Sequence, residues 1–402
     1  MNVIIDKSTA RGCINAPPSK SIAHRALICG ALSGSSVIHN IAYSKDIEAT
    51  LNCLIKLGAS VEKNDDTIKI GGLDLHKIKE GINIFCNESG STLRFLIPLC
   101  MLCDKKVELS GSERLFERPL SIYEEIAEKQ GLLFKKTCSS LVVKGKLQPA
   151  EYSVRGDVSS QFISGLLFAL PLLESDSIIN IVGNFESASY IDLTVDVLKN
   201  FGVEVERKNN SFYIKGNQKY SSNNYTVEGD CSNSAFLEAF NYIGGNVEVQ
   251  GIKKNTLQGD RVYSDIFYGL KNGKKSFDLS DCPDLAPVVF SLSAYYGGAE
   301  FTGTKRLRIK ESDRATAMAE ELAKFGINAS VFDNSVVIEK GVINTPTEVL
   351  DGHNDHRIVM ALSLLCSKTG GEIKGADAVE KSYPDFFEKI AGLGIKVSEI
   401  YE

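Results

Sequence analysis

The chain has 402 residues, 43% hydrophobic and 24% charged, an ordinary globular composition with length for two or three domains. Its net charge of −6 argues against general nucleic-acid binding, though not against a local basic pocket. No apolar run reaches ~18 residues without interruption, and the N-terminus "MNVIIDKSTARG" lacks a basic stretch followed by a long apolar one, so neither a membrane span nor a secretion signal is expected.

In chain order the elements alternate between two kinds. The first kind has a polar or Ser-rich start, a helix apolar nearly all round, a small-residue turn and a strand. Its members are "SKSIAHRALICGALSGSSVIHNI", "SGSTLRFLIPLCMLCDKKVELSG", "SSQFISGLLFALPLLESDSIINIVG", "SNSAFLEAFNYIGGNVEVQG", "PDLAPVVFSLSAYYGGAEFTG" and "NDHRIVMALSLLCSKTGGEIKG". Anchored on Ser21, Ser91, Ser160, Ser232, Asp284 and His356, they are spaced 70, 69, 72, 52 and 72 residues apart. The second kind is an amphipathic helix ending in Gly, a strand, a polar turn and another strand. It runs from "LNCLIKLGASVEKNDDTIKIGG" through copies at 122–145 and 193–216. It degenerates in "IFYGLKNGKKSFDLSD", recovers at 318–341, and is cut short by the C-terminus in "FFEKIAGLGIKVSEI". Its glycines, Gly58, Gly131, Gly202, Gly273, Gly326 and Gly394, are spaced 73, 71, 71, 53 and 68 apart. Glycine suits that place because it takes the left-handed position after a helix without strain. Both series shorten at the same interval, which predicts six βα repeats. A helix apolar on all sides must be buried. Six of them cannot surround one core at this length, so two domains of three repeats each are expected. The polar stretch "NQKYSSNN" at 217–224 is the candidate hinge.

The starts of the six buried helices collect the unusual residues. A helix N-terminus offers unpaired N–H groups and partial positive charge. Serines there are ordinary caps. Cations are not, because the dipole disfavours them; yet Lys20, Arg25, Arg94 and Arg357 fall in first turns. A buried cation needs a partner, either a structural carboxylate or a ligand's phosphate or carboxylate. "RIKESDR" at 308–314 packs five charges into seven residues ahead of an apolar-periodic run. A helix starting early would stack Lys310 on Arg314, where like charges repel and an anion between them would remove the repulsion. In "DGHNDHR", His353 and His356 have HxxH spacing beside Asp351 and Asp355, but no HExxH pattern or cysteine set accompanies them, so no metal is expected. GxGxxG, GxxxxGK[ST] and GxSxG are absent, so nucleotide cofactors and a serine nucleophile have no support. The ten cysteines lie mostly in apolar runs and read as buried, reduced thiols of a cytosolic protein; the Cys100–Cys103 pair sits in "LIPLCMLC", a buried helix.

Together "PPSKSIAHRAL", "ESGSTLR", "SERLFERP", "SSQFISGLL", "SASYID", "VEGDCSNSA", "QGD", "CPDLAP", "RIKESDR", "HNDHR" and "KSYPDFF" resemble, in order and from about residue 13 to 387, the 3-phosphoshikimate 1-carboxyvinyltransferase (EPSP synthase) family of enolpyruvyl transferases. The resemblance implies an α/β fold of two lobes, each three βαβαββ repeats around buried helices. One lobe would be 1–14 with 227–402 and the other 15–226, with hinges near 13–16 and 217–228 and closure on the substrates. It implies transfer of enolpyruvate from phosphoenolpyruvate to the 5-hydroxyl of shikimate 3-phosphate through a tetrahedral ketal, with no metal or cofactor, in a cytoplasmic monomer. By the family's motifs, Lys20, Ser21, Arg25, Ser159, Ser160, Gln161, Ser187, Tyr190, Asp284 and Lys310 would bind shikimate 3-phosphate. Lys20, Gly90, Arg118, Gln161, Arg314, Arg357 and Lys381 would bind phosphoenolpyruvate. Asp284 would take the 5-hydroxyl proton and Glu311 would exchange a proton with the methylene carbon, beside Lys20.

Two departures stand out: Glu88 and Arg306 occupy places where the family often has Asn, which leaves the contact at Arg306 and sensitivity to the inhibitor glyphosate open. The nearest alternative is the sister enzyme acting on UDP-N-acetylglucosamine. That enzyme starts with Lys-Asn and carries a cysteine in the loop that here reads "SGSERLFERP". A catalytically silent anion-binding relative is a third reading, opposed by the presence of Lys20, Asp284 and Glu311.

Overall fold

A computed structural model describes residues 1–400. The chain divides into two compact units, Pro18–Glu228 and a discontinuous one of Met1–Pro17 with Gly229–Glu402. Each has its own apolar core. The crossovers fall at Pro17 and at Glu228, and the polar stretch 217–223 is tied into the first of these units. There the Asn217 amide donates to Leu173 O at 2.6 Å and the Ser221 amide to Phe201 O at 2.8 Å.

The six apolar helices are Lys20–Leu32, Gly90–Cys100, Ser160–Ala169, Cys231–Tyr242, Ala286–Tyr295 and His356–Thr369. They are buried along nearly their whole length, as all-round hydrophobicity requires. Each fully buried Leu, Ile or Phe contributes about 1.5–3 kcal/mol by leaving water. Contact is close: Phe95 and Phe168 meet edge to face at 5.3 Å, and Tyr123 Oη donates to Arg94 O (2.8 Å) and Phe162 O (3.0 Å), bridging two of these helices. In the other unit Ser291 Oγ donates to Ala361 O at 3.2 Å between neighbouring buried helices.

The amphipathic helices cover the outside, and all six glycines of the second series have positive φ, from 67° to 118°. Five of the six sheets among the described residues share one order: a parallel pair, then two antiparallel strands, which in four of them form a hairpin. In one, Glu151–Arg155 lies parallel to Ser177–Val182 with Tyr152 opposite Ile179; Ser211–Ile214 and Val205–Lys208 follow antiparallel. The degenerate repeat lacks its hairpin. After the helix Tyr263–Lys271 the chain goes straight to Ser276–Asp278, a strand of the next sheet, which accounts for the short interval. Its sheet has two strands, Asn246–Gln250 parallel to Arg11–Asn15. The last repeat, truncated in sequence, is completed from the other end of the chain: Asn2–Asp6 pairs antiparallel with both Gly371–Lys374 and Lys396–Ile400. Likewise Asn224–Thr226 returns to lie parallel to Ser36–His39.

No helix among the described residues is long and apolar enough to cross a membrane. Of the ten cysteines eight are buried, while Cys13 and Cys138 are exposed, so the expectation of buried thiols fails at those two.

Candidate functional site

In the unit Pro18–Glu228 the three buried helices start at Lys20, Gly90 and Ser160, and none has an acidic residue in its first turn. Their partial positive charge is therefore left for something else. Arg25 is 2% exposed. Its Nε donates to Thr194 Oγ1 (2.8 Å), its Nη1 to Ser21 O (2.6 Å) and its Nη2 to Tyr190 O (2.9 Å) and Ser164 Oγ (3.4 Å). All these partners are neutral. Burial without a carboxylate pushes the Arg25 guanidinium down to about 10, slightly offset by Tyr190, Cys29 and Tyr225. Arg118, 7% exposed, lies against Gly90 so closely that a Cβ there would stand 2.6 Å from its Nη1. The buried Nε of Arg118 has no hydrogen-bond partner among the described residues. Two buried guanidiniums with no carboxylate partner among the described residues are what an anion site requires.

Around them, Gln161 joins two helix starts: its Nε2 donates to Ser91 Oγ (3.0 Å) and its Oε1 accepts from Arg94 Nη1 (2.7 Å). Ser159 caps its helix, accepting the Gln161 amide at 3.3 Å, and Ser160 is buried beside it. Ser187, in the left-handed region at φ 55°, precedes the helix Ala188–Asn200 that carries Tyr190. Lys20 Nζ is held by Asp46 Oδ2 at 2.7 Å. Sequence reasoning missed Asp46, because an acid in the first turn of the helix Lys45–Leu57 reads as an ordinary dipole partner.

The unit containing Gly229–Glu402 builds a second cluster. Asp284, in a short 3₁₀ turn ahead of the helix Ala286–Tyr295, accepts from Arg314 Nη1 (2.8 Å), Lys310 Nζ (3.1 Å) and Arg357 Nη2 (3.2 Å). Burial raises its carboxyl, but Arg357, Lys310 and Arg314 together hold it well below the ordinary value, so it is ionised. Burial lowers Lys310, Asp284 opposes that, and the field of Arg314 adds to it; the net shift is downward. Arg314, 1% exposed, also donates through Nη2 to Glu311 Oε2 (2.7 Å) and through Nε to Asp355 Oδ2 (2.8 Å). Arg357 Nη1 donates to Ser232 Oγ at 2.6 Å, and Lys381 Nζ donates to Asn354 O at 2.6 Å. Arg306 is buried and donates to Ser280 O.

The helix after "RIKESD" starts at Arg314, with Asp313 as its cap, and Lys310 lies in the turn before it. An early helix stacking Lys310 on Arg314 is therefore not what forms. The two cations meet through Asp284 instead. Asp355, wholly buried, orients Arg314 and accepts the Arg357 amide at 3.0 Å, a role that its place beside the HxxH spacing does not reveal. No group of three or more His, Cys, Asp or Glu at metal-holding distances occurs among the described residues.

The family model for EPSP synthase (3-phosphoshikimate 1-carboxyvinyltransferase) matches residues 5–390. The 3-phosphoshikimate 1-carboxyvinyltransferase of Clostridium novyi is 42% identical over 98% of this chain and 98% of that protein. That of Clostridium acetobutylicum is 41% identical over 99% of each, and that of Clostridioides difficile 41% identical over 98% of this chain and 97% of the relative. EPSP synthase from Acinetobacter baumannii has the same fold, with a TM-score of 0.79 at 23% identity over 99% of this chain and 100% of that one.

Proposed function

The chain belongs to the EPSP synthase (3-phosphoshikimate 1-carboxyvinyltransferase) family, and from that premise we propose how its residues divide the work of moving the enolpyruvyl group of phosphoenolpyruvate to the 5-hydroxyl of shikimate 3-phosphate. Lys20, Ser21, Arg25, Ser159, Ser160 and Ser187 hold the 3-phosphate, with Tyr190 against the ring and Gln161 reaching both substrates. In the unit Pro18–Glu228 the donors to phosphoenolpyruvate are the helix start at Gly90, Arg118 and Lys20; in the other unit they are Arg314, Arg357 and Lys381. Arginine suits both tasks because its planar fork bonds carboxylate and phosphate oxygens in pairs.

Asp284, with Lys310 at its side, accepts the 5-hydroxyl proton as the hydroxyl oxygen forms a bond to the central carbon of phosphoenolpyruvate. The methylene carbon takes a proton from Glu311, giving a tetrahedral ketal. Elimination reverses the second transfer: the methyl carbon returns a proton to Glu311, the carbon–oxygen bond to phosphate breaks, and the phosphate leaves with the proton that Asp284 had taken. In the free cluster Asp284 is a weak base because three cations hold it. A substrate anion bound to Arg314 and Arg357 shares their field, which raises the basicity of Asp284 and frees Glu311 from a guanidinium 2.7 Å away.

The observation that carries the phosphate assignment is Arg25, buried among neutral partners only. Calorimetric titration with shikimate 3-phosphate tests it. Losing one charged donor set costs about 3 kcal/mol, or roughly 100-fold in Kd, in Arg25→Ala. Affinity within about twofold of wild type, in a variant that still folds, removes Arg25 from the site.

A further inference from the structure

The segment 351–355 leads from the strand Leu350–Asp351 into the helix His356–Thr369, and a single helix, Arg314–Lys324, grips it at both ends. Arg314 and Glu321 stand seven residues apart, about two turns, on one side of that helix. At one end Arg314 Nε donates to Asp355 Oδ2 at 2.8 Å. At the other end Glu321, 1% exposed, accepts the Asp351 amide (2.9 Å), His353 Nε2 (2.9 Å) and Lys324 Nζ (2.9 Å). Between the grips His353 and Asn354 have φ of 48° and 51°, both left-handed. Two successive non-glycine residues rarely rest there, so the turn has to be held. The holds are the ring of His353 on Glu321 and its amide on Asp351 Oδ1 at 2.7 Å. The turn aims Asn354 O at the Lys381 ammonium (2.6 Å) and presents Asp355 to Arg314 and to the Arg357 amide (3.0 Å).

We propose that the Glu321–His353 contact is a positioning clamp for the phosphoenolpyruvate cations. The imidazolium bound to Glu321 fixes the left-handed turn that sets Lys381, Arg314 and Arg357, and the clamp weakens when His353 loses its proton. The inference rests on the reading of Lys381 and Arg357 as donors to phosphoenolpyruvate. The charged groups facing the ring are Glu321 and, at 3.9 Å, Glu320 from the gripping helix, with Asp351 from the strand. Lys324 neutralises Glu321, and Lys374 Nζ meets Asp351 at 3.0 Å. The hydrogen bond to Glu321 raises the imidazole above its ordinary 6.5, burial opposes it, and Asp351, Glu321 and Glu320 add to the rise. A raised folded value means that the ion pair is complete below the ordinary value and is lost as pH climbs through the raised one. The clamp therefore loosens on the alkaline side.

The test is KM for phosphoenolpyruvate from about pH 6 to about pH 9 at saturating shikimate 3-phosphate, in wild type, His353→Gln, Glu321→Gln and Lys381→Met. Gln at 353 keeps an N–H donor without titrating. In wild type KM is expected to rise by about threefold through a step above the ordinary histidine value, while KM for shikimate 3-phosphate stays level. The step vanishes in His353→Gln and moves to lower pH in Glu321→Gln. A merely structural contact would change the melting temperature and leave the profile alone. Titration of the phosphoenolpyruvate phosphate is common to all four proteins and cancels in the comparison. A wild-type step retained in His353→Gln, or an unmoved inflection in Glu321→Gln, overturns the clamp; if His353→Gln does not fold, the second result decides alone. Lys381→Met separates the underlying reading: an unchanged KM for phosphoenolpyruvate there sinks the role of Lys381, whatever the His353 profile shows.

Discussion

Arg314 bonds Asp284, Glu311 and Asp355 at 2.8, 2.7 and 2.8 Å while 1% exposed, so the three carboxylates are not equivalent. Asp355 is wholly buried and ties Arg314, Ser312 Oγ and the Arg357 amide together. Glu311 is one-fifth exposed and accepts from Arg314 Nη2. Neutralising them should therefore separate stability from chemistry. Asp355→Asn is expected to destabilise by about 3 kcal/mol, because it leaves a buried charge short of a partner. Glu311→Gln is expected to cost less than about 1 kcal/mol yet lower kcat by about 100-fold or more. Thermal melts and steady-state rates on both variants check this; equal losses of stability would make Glu311 a structural ion pair. At this scale the cations were legible in the sequence, since Lys20, Arg25 and Arg357 break the dipole preference of a helix start. The carboxylates Asp46, on Lys20, and Asp355, on Arg314, were not, because an acid near a helix start is the commonest thing to find there.

Two of the buried helices meet where a side chain is missing. A Cβ on Gly165 would stand 2.2 Å from Tyr123 Oη and 2.4 Å from Arg94 O, so the Ser160–Ala169 helix meets its neighbour through that glycine. Gly165→Ala should raise helix propensity and still destabilise by about 2–3 kcal/mol, since the overlap outweighs the roughly 1 kcal/mol of propensity gained. Denaturant titration reads the balance, and a more stable variant would mean that the helices have slack to separate. Gly90 is the counterpart at the site, where a Cβ would meet the Arg118 guanidinium rather than backbone. Element type and burial followed from periodicity, because a helix hydrophobic on every side has only one place to go. The start of the helix at Arg314 did not, since Asp313 and the charges before it fit a cap as well as a first turn.

Six repeats in two units, each with its own core, follow from two interleaved spacings that shorten together. The cause of the shortening, a missing hairpin after Tyr263–Lys271, is the structural form of the copy that had degenerated in sequence. What spacing could not tell is which strand completes which sheet. Asn2–Asp6 closes the last repeat and Arg11–Asn15 the fourth, and a strand's own alternation of residues says nothing about a partner hundreds of positions away. As a whole the molecule transfers the enolpyruvyl group of phosphoenolpyruvate to shikimate 3-phosphate. The most direct measurement is release of phosphate from phosphoenolpyruvate with chelator present and either shikimate 3-phosphate or UDP-N-acetylglucosamine as acceptor. Release is expected with shikimate 3-phosphate only. Release with the nucleotide sugar alone, or with neither acceptor from folded protein, would contradict this transfer.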